Sequence, residues 1–140
     1  MVSSLIKKDI FKSFDKSHTS EILITKPDRY RDLEKNSLLT ENLITMGSAL
    51  SYVPASFKRN SLSLLFEKFD RIIEFDKEKK TITVEGGIKL SNFLNFTLSH
   101  GLWLPQVPGY PQISIAGAVA TNAHGKSCGY HGTIRNQIKK

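Results

Sequence analysis

Residues 115–126 read Ile115-Ala116-Gly117-Ala118-Val119-Ala120-Thr121-Asn122-Ala123-His124-Gly125-Lys126, and their shortage of bulk is the feature to explain first. With so little side-chain volume, the main chain can come very close to something flat or phosphorylated. The stretch Gly47-Ser48-Ala49-Leu50-Ser51 obeys the same logic at the end of a strand-like run, where bare N–H groups can form a nest for an anion. Two such segments in one small domain suggest a long, partly phosphorylated ligand held mostly by backbone. Two tight turns with close helix packing would give the same composition, and composition alone does not separate the readings.

Working outward, residues 1–20 form a polar, mixed arm with a short helix expected within 5–14. Glu21-Ile22-Leu23-Ile24-Thr25 reads as a strand. Lys26-Pro27-Asp28 stops it and opens a helix to about residue 35, with Pro27 where a helix start tolerates a missing N–H. Asn42-Leu43-Ile44-Thr45-Met46 is the next strand, so that 21–46 makes a small βαβ unit running into Gly47. Residues 71–76 and 81–85 form a hairpin across a polar turn at 77–80, with Ile82 and Val84 alternating against Thr81, Thr83 and Glu85. A helix over 89–100 places Leu90, Phe93, Leu94 and Leu98 on one face, and Gly101 stops it. The fold class is α+β: an α/β subdomain with a small mixed sheet and flanking helices, comprising an N-terminal arm (1–20) and one domain (21–140).

A chain of 140 residues, 39% apolar and 24% charged, suits one soluble domain with its own core. It has no run approaching the roughly 18 apolar residues that span a bilayer. Its start lacks the apolar stretch of a secretory signal, so a cytoplasmic location is expected. The single cysteine, Cys128, allows no internal disulfide. Twenty Lys and Arg against thirteen Asp and Glu leave +7, but these charges are scattered and no aromatics interleave with them. They read as solvated surface, and no nucleic-acid partner is expected.

Gly101-Leu102-Trp103-Leu104-Pro105, then Pro108-Gly109, then residues 114–126 resemble the flavin segment of the vanillyl-alcohol oxidase/p-cresol methylhydroxylase (PCMH)-type FAD-binding family. The likeness is greatest to its decaprenylphosphoryl-ribose oxidase branch, which has a similar Gly-Leu-Trp-hydrophobic-Pro stretch and a His-Gly-Lys triplet. Gly132-Thr133-Ile134-Arg135-Asn136-Gln137-Ile138 is similar to the family's Gly-Ser-Phe-Gly-Asn-His-Val continuation, and Gly47-Ser48-Ala49-Leu50-Ser51-Tyr52 to its pyrophosphate loop, often Gly-x-Gly-x-Ser-Tyr.

The resemblance covers roughly residues 20–138 and implies FAD lying extended between two α/β subdomains. By position it implies that Gly47, Ser48, Ala49, Leu50, Ser51 and Tyr52 hold the pyrophosphate. Pro108, Gly109, Ala116, Gly117, Thr121, Asn122, His124 and Gly125 would line the ribityl chain and ring. His124 and Lys126 would face the substrate side as the catalytic pair, positioning a hydroxyl or phosphate and tuning charge near the ring. The implied activity is oxidation of an alcohol carbon of a sugar-like small molecule by hydride transfer to flavin.

The chain departs from that pattern at Ala49 and Ala116, each in place of a glycine, where an added methyl calls for a negative φ. Leu50 stands where some relatives carry a flavin-linking histidine, which predicts noncovalent FAD. Arg135 replaces a glycine in the late motif. The family's FAD domain runs on past residue 138, with a substrate domain beyond, so the chain is expected to be the N-terminal half of the FAD domain and inactive alone. Rival readings explain less. A Gly-x4-Gly-Lys-Ser/Thr phosphate loop ending at Ser127 would need glycine where Ala120 stands. His124, Cys128 and His131 have zinc-compatible types but no fourth ligand nearby, so no metal is expected. A non-catalytic or degenerate nucleotide- or flavin-binding module remains the main alternative.

Overall fold

The computed structural model describes residues 6–37 and 42–139, with the backbone only at 35–37 and 128. The chain forms two compact units, Met1–Phe69 and Asp70–Lys140.

The first unit is built on a four-stranded mixed sheet. Its strands are β1 (Lys7–Lys12), β2 (Thr19–Thr25), β3 (Leu43–Met46) and β4 (Leu62–Leu65), with helix α1 (Tyr30–Ser37) between β2 and β3. The spatial order is β1-β2-β4-β3. β1 pairs antiparallel with β2, while β4 runs parallel to both β2 and β3. The expected βαβ unit is therefore present with a strand inserted: β2 and β3 are parallel but not neighbours.

β4 is buried at all four positions, as a central strand covered on both faces must be. Ile22 and Ile24 of β2 face a core with Met46, Phe57 and Leu65, against which Phe11 and Ala49 pack. The helix expected within 5–14 is not formed in the described part of that stretch, which is strand β1. Its residues 7–12 carry only one half-buried apolar side chain, Phe11, so there is no apolar stripe to hold a helix on a core.

The second unit begins with the expected hairpin, β5 (Ile72–Asp76) and β6 (Thr81–Val84), antiparallel with an irregularity between Ile72 and Glu74. Its turn is held by Asp76, whose carboxylate accepts from the Lys79 N–H at 2.9 Å; that bond, then the Lys79 ammonium, holds the Asp76 pKa below its ordinary value. The open end is clamped by Glu85, only 4% exposed, which takes Arg71 Nη2 at 2.7 Å and Nε at 3.1 Å. Helix α2 (Leu90–Ser99) buries Leu90, Phe93, Leu94 and Thr97. Leu98, expected on that face, is 52% exposed, and Thr97 takes the inner place. The core here is Ile88, Leu90, Phe93 and Leu94, joined by Ile72, Ile82, Val84, Leu104, Val107, Ile113 and Ile115. α2 stops at Gly101 (φ +73) as expected. A short helix α3 (Ile115–Ala120), a single turn α4 (Cys128–His131) and a 3-10 turn (Ile134–Gln137) complete the unit.

Candidate functional site

In the first unit the chain leaves β3 at Met46, fully buried, and enters residues 47–51, all half-buried. Among the described residues, none of the hydrogen bonds is donated by a backbone N–H of residues 47–51. Ala49 has φ +53, so it holds the left-handed conformation that glycine takes freely, and the expected negative φ is not what its methyl required. The methyl is tolerated because it packs on the core of this unit. A left-handed residue within a run of uncommitted N–H groups is the arrangement that turns successive donors toward one anion. That donor set fits a pyrophosphate.

The far end of this turn is fixed from another element. Ser51 O accepts from Phe14 N at 3.1 Å, and the Tyr52 ring, 68% exposed, meets Phe14 edge-on at 5.4 Å between centroids. Phe14 is carried by a tight turn in which Asp15 accepts from Ser13 and Ser17; those bonds hold its carboxyl at about 2.

In the second unit, α3 is organised differently. Ser114 caps it, its Oγ accepting from Gly117 N at 3.2 Å. Ile115 N donates to Ile88 O, Ala116 N to Gly86 O and Ala118 N to Ser114 O, each at 2.9 Å. The first four N–H groups of α3 are therefore engaged within the fold and none is free for a ligand. A Cβ at Gly117 would lie 2.9 Å from Ser114 Oγ, so this glycine protects the cap.

The end of α3 is a Schellman turn: Ala123 N reaches Ala118 O at 2.8 Å, Asn122 N reaches Val119 O at 3.1 Å, and Asn122 stands at φ +52. Arg135 Nε donates to Val119 O at 3.0 Å and its Nη2 reaches Ala120 O at 3.5 Å. A cation on the last carbonyls complements the helix dipole, which is what arginine does in place of the motif's glycine. Thr133 Oγ1 donates to Asn122 Oδ1, and Ile134 N to Ala123 O at 3.0 Å, so Asn122 and Ala123 are pinned by the late motif.

Residues 124–127 lie directly against the loop after Leu104. A Cβ at Gly125 would overlap Val107 O and lie 2.7 Å from Gln106 Nε2, so only glycine fits. Ser127 Oγ donates to Gln106 Oε1 at 2.7 Å. Pro108 is buried, while Gly109 is exposed and a Cβ there would meet nothing within 4 Å.

His124 and Lys126 are exposed, and among the described residues neither side chain makes a hydrogen bond or ion pair. Both are thus available to something outside this unit's own fold. Residues 47–52 belong to the first unit and all the other candidates to the second. The sequence does not mark Gln106, Ser127 or Arg135 as site residues, because their partners lie 16 to 31 positions away along the chain.

The rival readings gain nothing. Ser127, which a phosphate loop would offer to Mg²⁺, is bonded to Gln106. Among the described residues no three His, Cys, Asp or Glu group as a metal site, and the Cys128 side chain lies outside those described. No helix among them is long and apolar enough to cross a membrane.

Comparison with known proteins completes the picture. Decaprenylphosphoryl-beta-D-ribose oxidase of Mycolicibacterium smegmatis is 28% identical over 97 residues, covering 69% of this chain and 21% of that protein. Mitochondrial L-galactono-1,4-lactone dehydrogenase of Arabidopsis thaliana is 30% identical over 105 residues, 71% of this chain and 17% of its own length. The chain thus spans about a fifth of the curated relatives it matches. Cholesterol oxidase from Brevibacterium sterolicum superposes with a TM-score of 0.76 at 16% identity, over 86% of this chain and 25% of that one, a likeness of fold. The FAD binding domain family matches residues 39–140. With that match over most of its length and the α+β fold it shares with flavin oxidases, this chain belongs to the FAD binding domain family, flavoproteins of the PCMH type whose cofactor is FAD.

Proposed function

We propose that this chain supplies part of the FAD domain of an oxidoreductase that oxidises an alcohol carbon of a sugar-like molecule. The observation that carries the reading is the run of uncommitted N–H groups at residues 47–51 around a left-handed Ala49. Oxidoreductases of sugar derivatives among its relatives favour the substrate class.

Bound FAD would supply the acceptor for a hydride from the substrate carbon. The chain's own residues bind and orient. The N–H groups of residues 47–51 hold the pyrophosphate, and the exposed Tyr52 ring borders it. Leu50 has no atom that can bond to flavin, so the cofactor is held noncovalently there. Residues 121–125 line the flavin, with Asn122 kept in place by Thr133 and the end of α3 by Arg135. His124 and Lys126, having no partner in their own fold among the described residues, orient the substrate hydroxyl, and the Lys126 ammonium favours developing negative charge beside the ring.

The test uses the complete protein that carries this chain. Ser48→Glu places a carboxylate beside the donors and is expected to weaken FAD retention about tenfold or more, read from flavin absorbance after gel filtration. Undiminished retention would remove the pyrophosphate from this turn. Lys126→Ala is expected to keep its FAD and slow flavin reduction by substrate about tenfold to a hundredfold. Normal reduction by this variant would take Lys126 off the substrate side, and a parent protein whose flavin no such substrate reduces would favour a flavin-binding module without turnover.

A further inference from the structure

Gln106 is fully buried between Pro105 and Val107. Its Oε1 accepts from Ser127 Oγ at 2.7 Å, and its main-chain O lies 3.4 Å from Gln137 Nε2. Its own Nε2 is buried with no partner among the described residues and stands 2.7 Å from where a Cβ of Gly125 would be. The amide therefore sits against the backbone of the very segment that displays His124 and Lys126.

Folding gives little reason for glutamine here. A buried donor without an acceptor costs its desolvation, whereas an apolar side chain of the same shape would be close to neutral. The neighbours of this position, Leu104 and Val107, join an apolar core that an unbranched apolar chain could extend. What glutamine adds is a fixed polar contact to Ser127 on one side of Gly125 and a close steric contact to Gly125 itself.

We infer that Gln106 is a positioning residue: its amide, locked between Ser127 and Gly125, fixes the main chain of residues 124–126 and so the aim of His124 and Lys126. It touches neither cofactor nor substrate, because it has no exposed surface. The inference rests on the proposed role of Lys126 for its effect on reduction, and on geometry alone for its effect on the backbone.

Gln106→Met removes the amide and keeps the length. In the complete protein it is expected to retain FAD and to unfold within about 3 °C of the parent, while slowing flavin reduction about tenfold. Combined with Lys126→Ala it is expected to slow reduction by clearly less than the product of the two single effects, since much of its effect passes through the same ammonium. In the 140-residue chain without ligand, the amide order parameters of Gly125 and Lys126 are expected to fall from about 0.85 to about 0.6 or lower.

Unchanged order parameters, an unslowed reduction, or fully additive effects in the double variant each overturn the role given to Gln106. If Lys126→Ala itself reduces normally, the role proposed for Lys126 fails, and the order parameters still decide the positioning. Should Gln106→Met not fold, Ser127→Ala removes only the bond to Oε1. It is expected to lower the same order parameters, and a rigid segment in that variant would sink the idea.

Discussion

Two stretches of this chain share a composition of glycine, alanine and serine, and their backbones behave in opposite ways. At residues 47–51 no N–H donates a hydrogen bond among the described residues, and Ala49 is held at φ +53. At the start of α3 the first four N–H groups are all engaged, by Ile88 O, Gly86 O, Ser114 Oγ and Ser114 O. Small side chains serve the first stretch by baring donors. They serve the second by letting main chain pack on main chain, so that Gly117 spares the cap and Gly125 accommodates Val107 O. Scarcity of bulk signals that something comes close. Only the fate of the N–H groups says whether it is a ligand or the protein itself.

The largest effect that would break this contrast is expected at Gly125. Alanine there would press on Val107 O, which is backbone and cannot swing aside, and on Gln106 Nε2. Moving one of two packed main-chain segments should cost about 3 kcal/mol, read from the denaturant midpoint at unchanged slope. A cost below about 0.5 kcal/mol, ordinary for a surface change, would mean that the segments separate easily and that this glycine was free for a ligand after all.

A smaller effect is expected at the cap. Ser114→Ala leaves Gly117 N without its acceptor and should destabilise by about 1 kcal/mol. FAD retention in the complete protein should hold as long as the fold does, because the α3 donors already have partners. A variant that stays folded and loses its flavin would place the ligand on the first turn of α3 and erase the difference between the two stretches.

How much of this was legible beforehand follows the same physics. The hairpin and α2 announce themselves through alternation at Ile82 and Val84 and through the 90, 93, 94 spacing, because each has one wet face and one dry face. β4 has no wet face: Leu62, Ser63, Leu64 and Leu65 are all buried, so no period marks it. β1 fails for the converse reason, with five of its six residues exposed and its place fixed by pairing to β2 rather than by an apolar pattern. At the site, the residue types were readable and their partners were not. Gln106 meets residues 21 and 31 positions away, and α3 donates to carbonyls beyond a helix and a long loop.

The finest test lies at Ala49, where the two uses of a small residue meet. Its left-handed backbone costs an alanine about 1 kcal/mol or more that a glycine would not incur. Against this, Ala49 packs against the cluster of Ile22, Ile24, Met46, Phe57 and Leu65, and glycine would also gain freedom in the unfolded chain worth roughly 0.4–1 kcal/mol. The opposing terms nearly cancel, so Ala49→Gly is expected to change stability by less than about 1 kcal/mol. FAD retention should stay the same, since the donors keep their direction. A destabilisation well above that would show that side-chain packing, not backbone preference, shapes the turn. In that case Ala49→Gly should also loosen the cradle and release flavin, a coupled loss that a turn held by its backbone would not show.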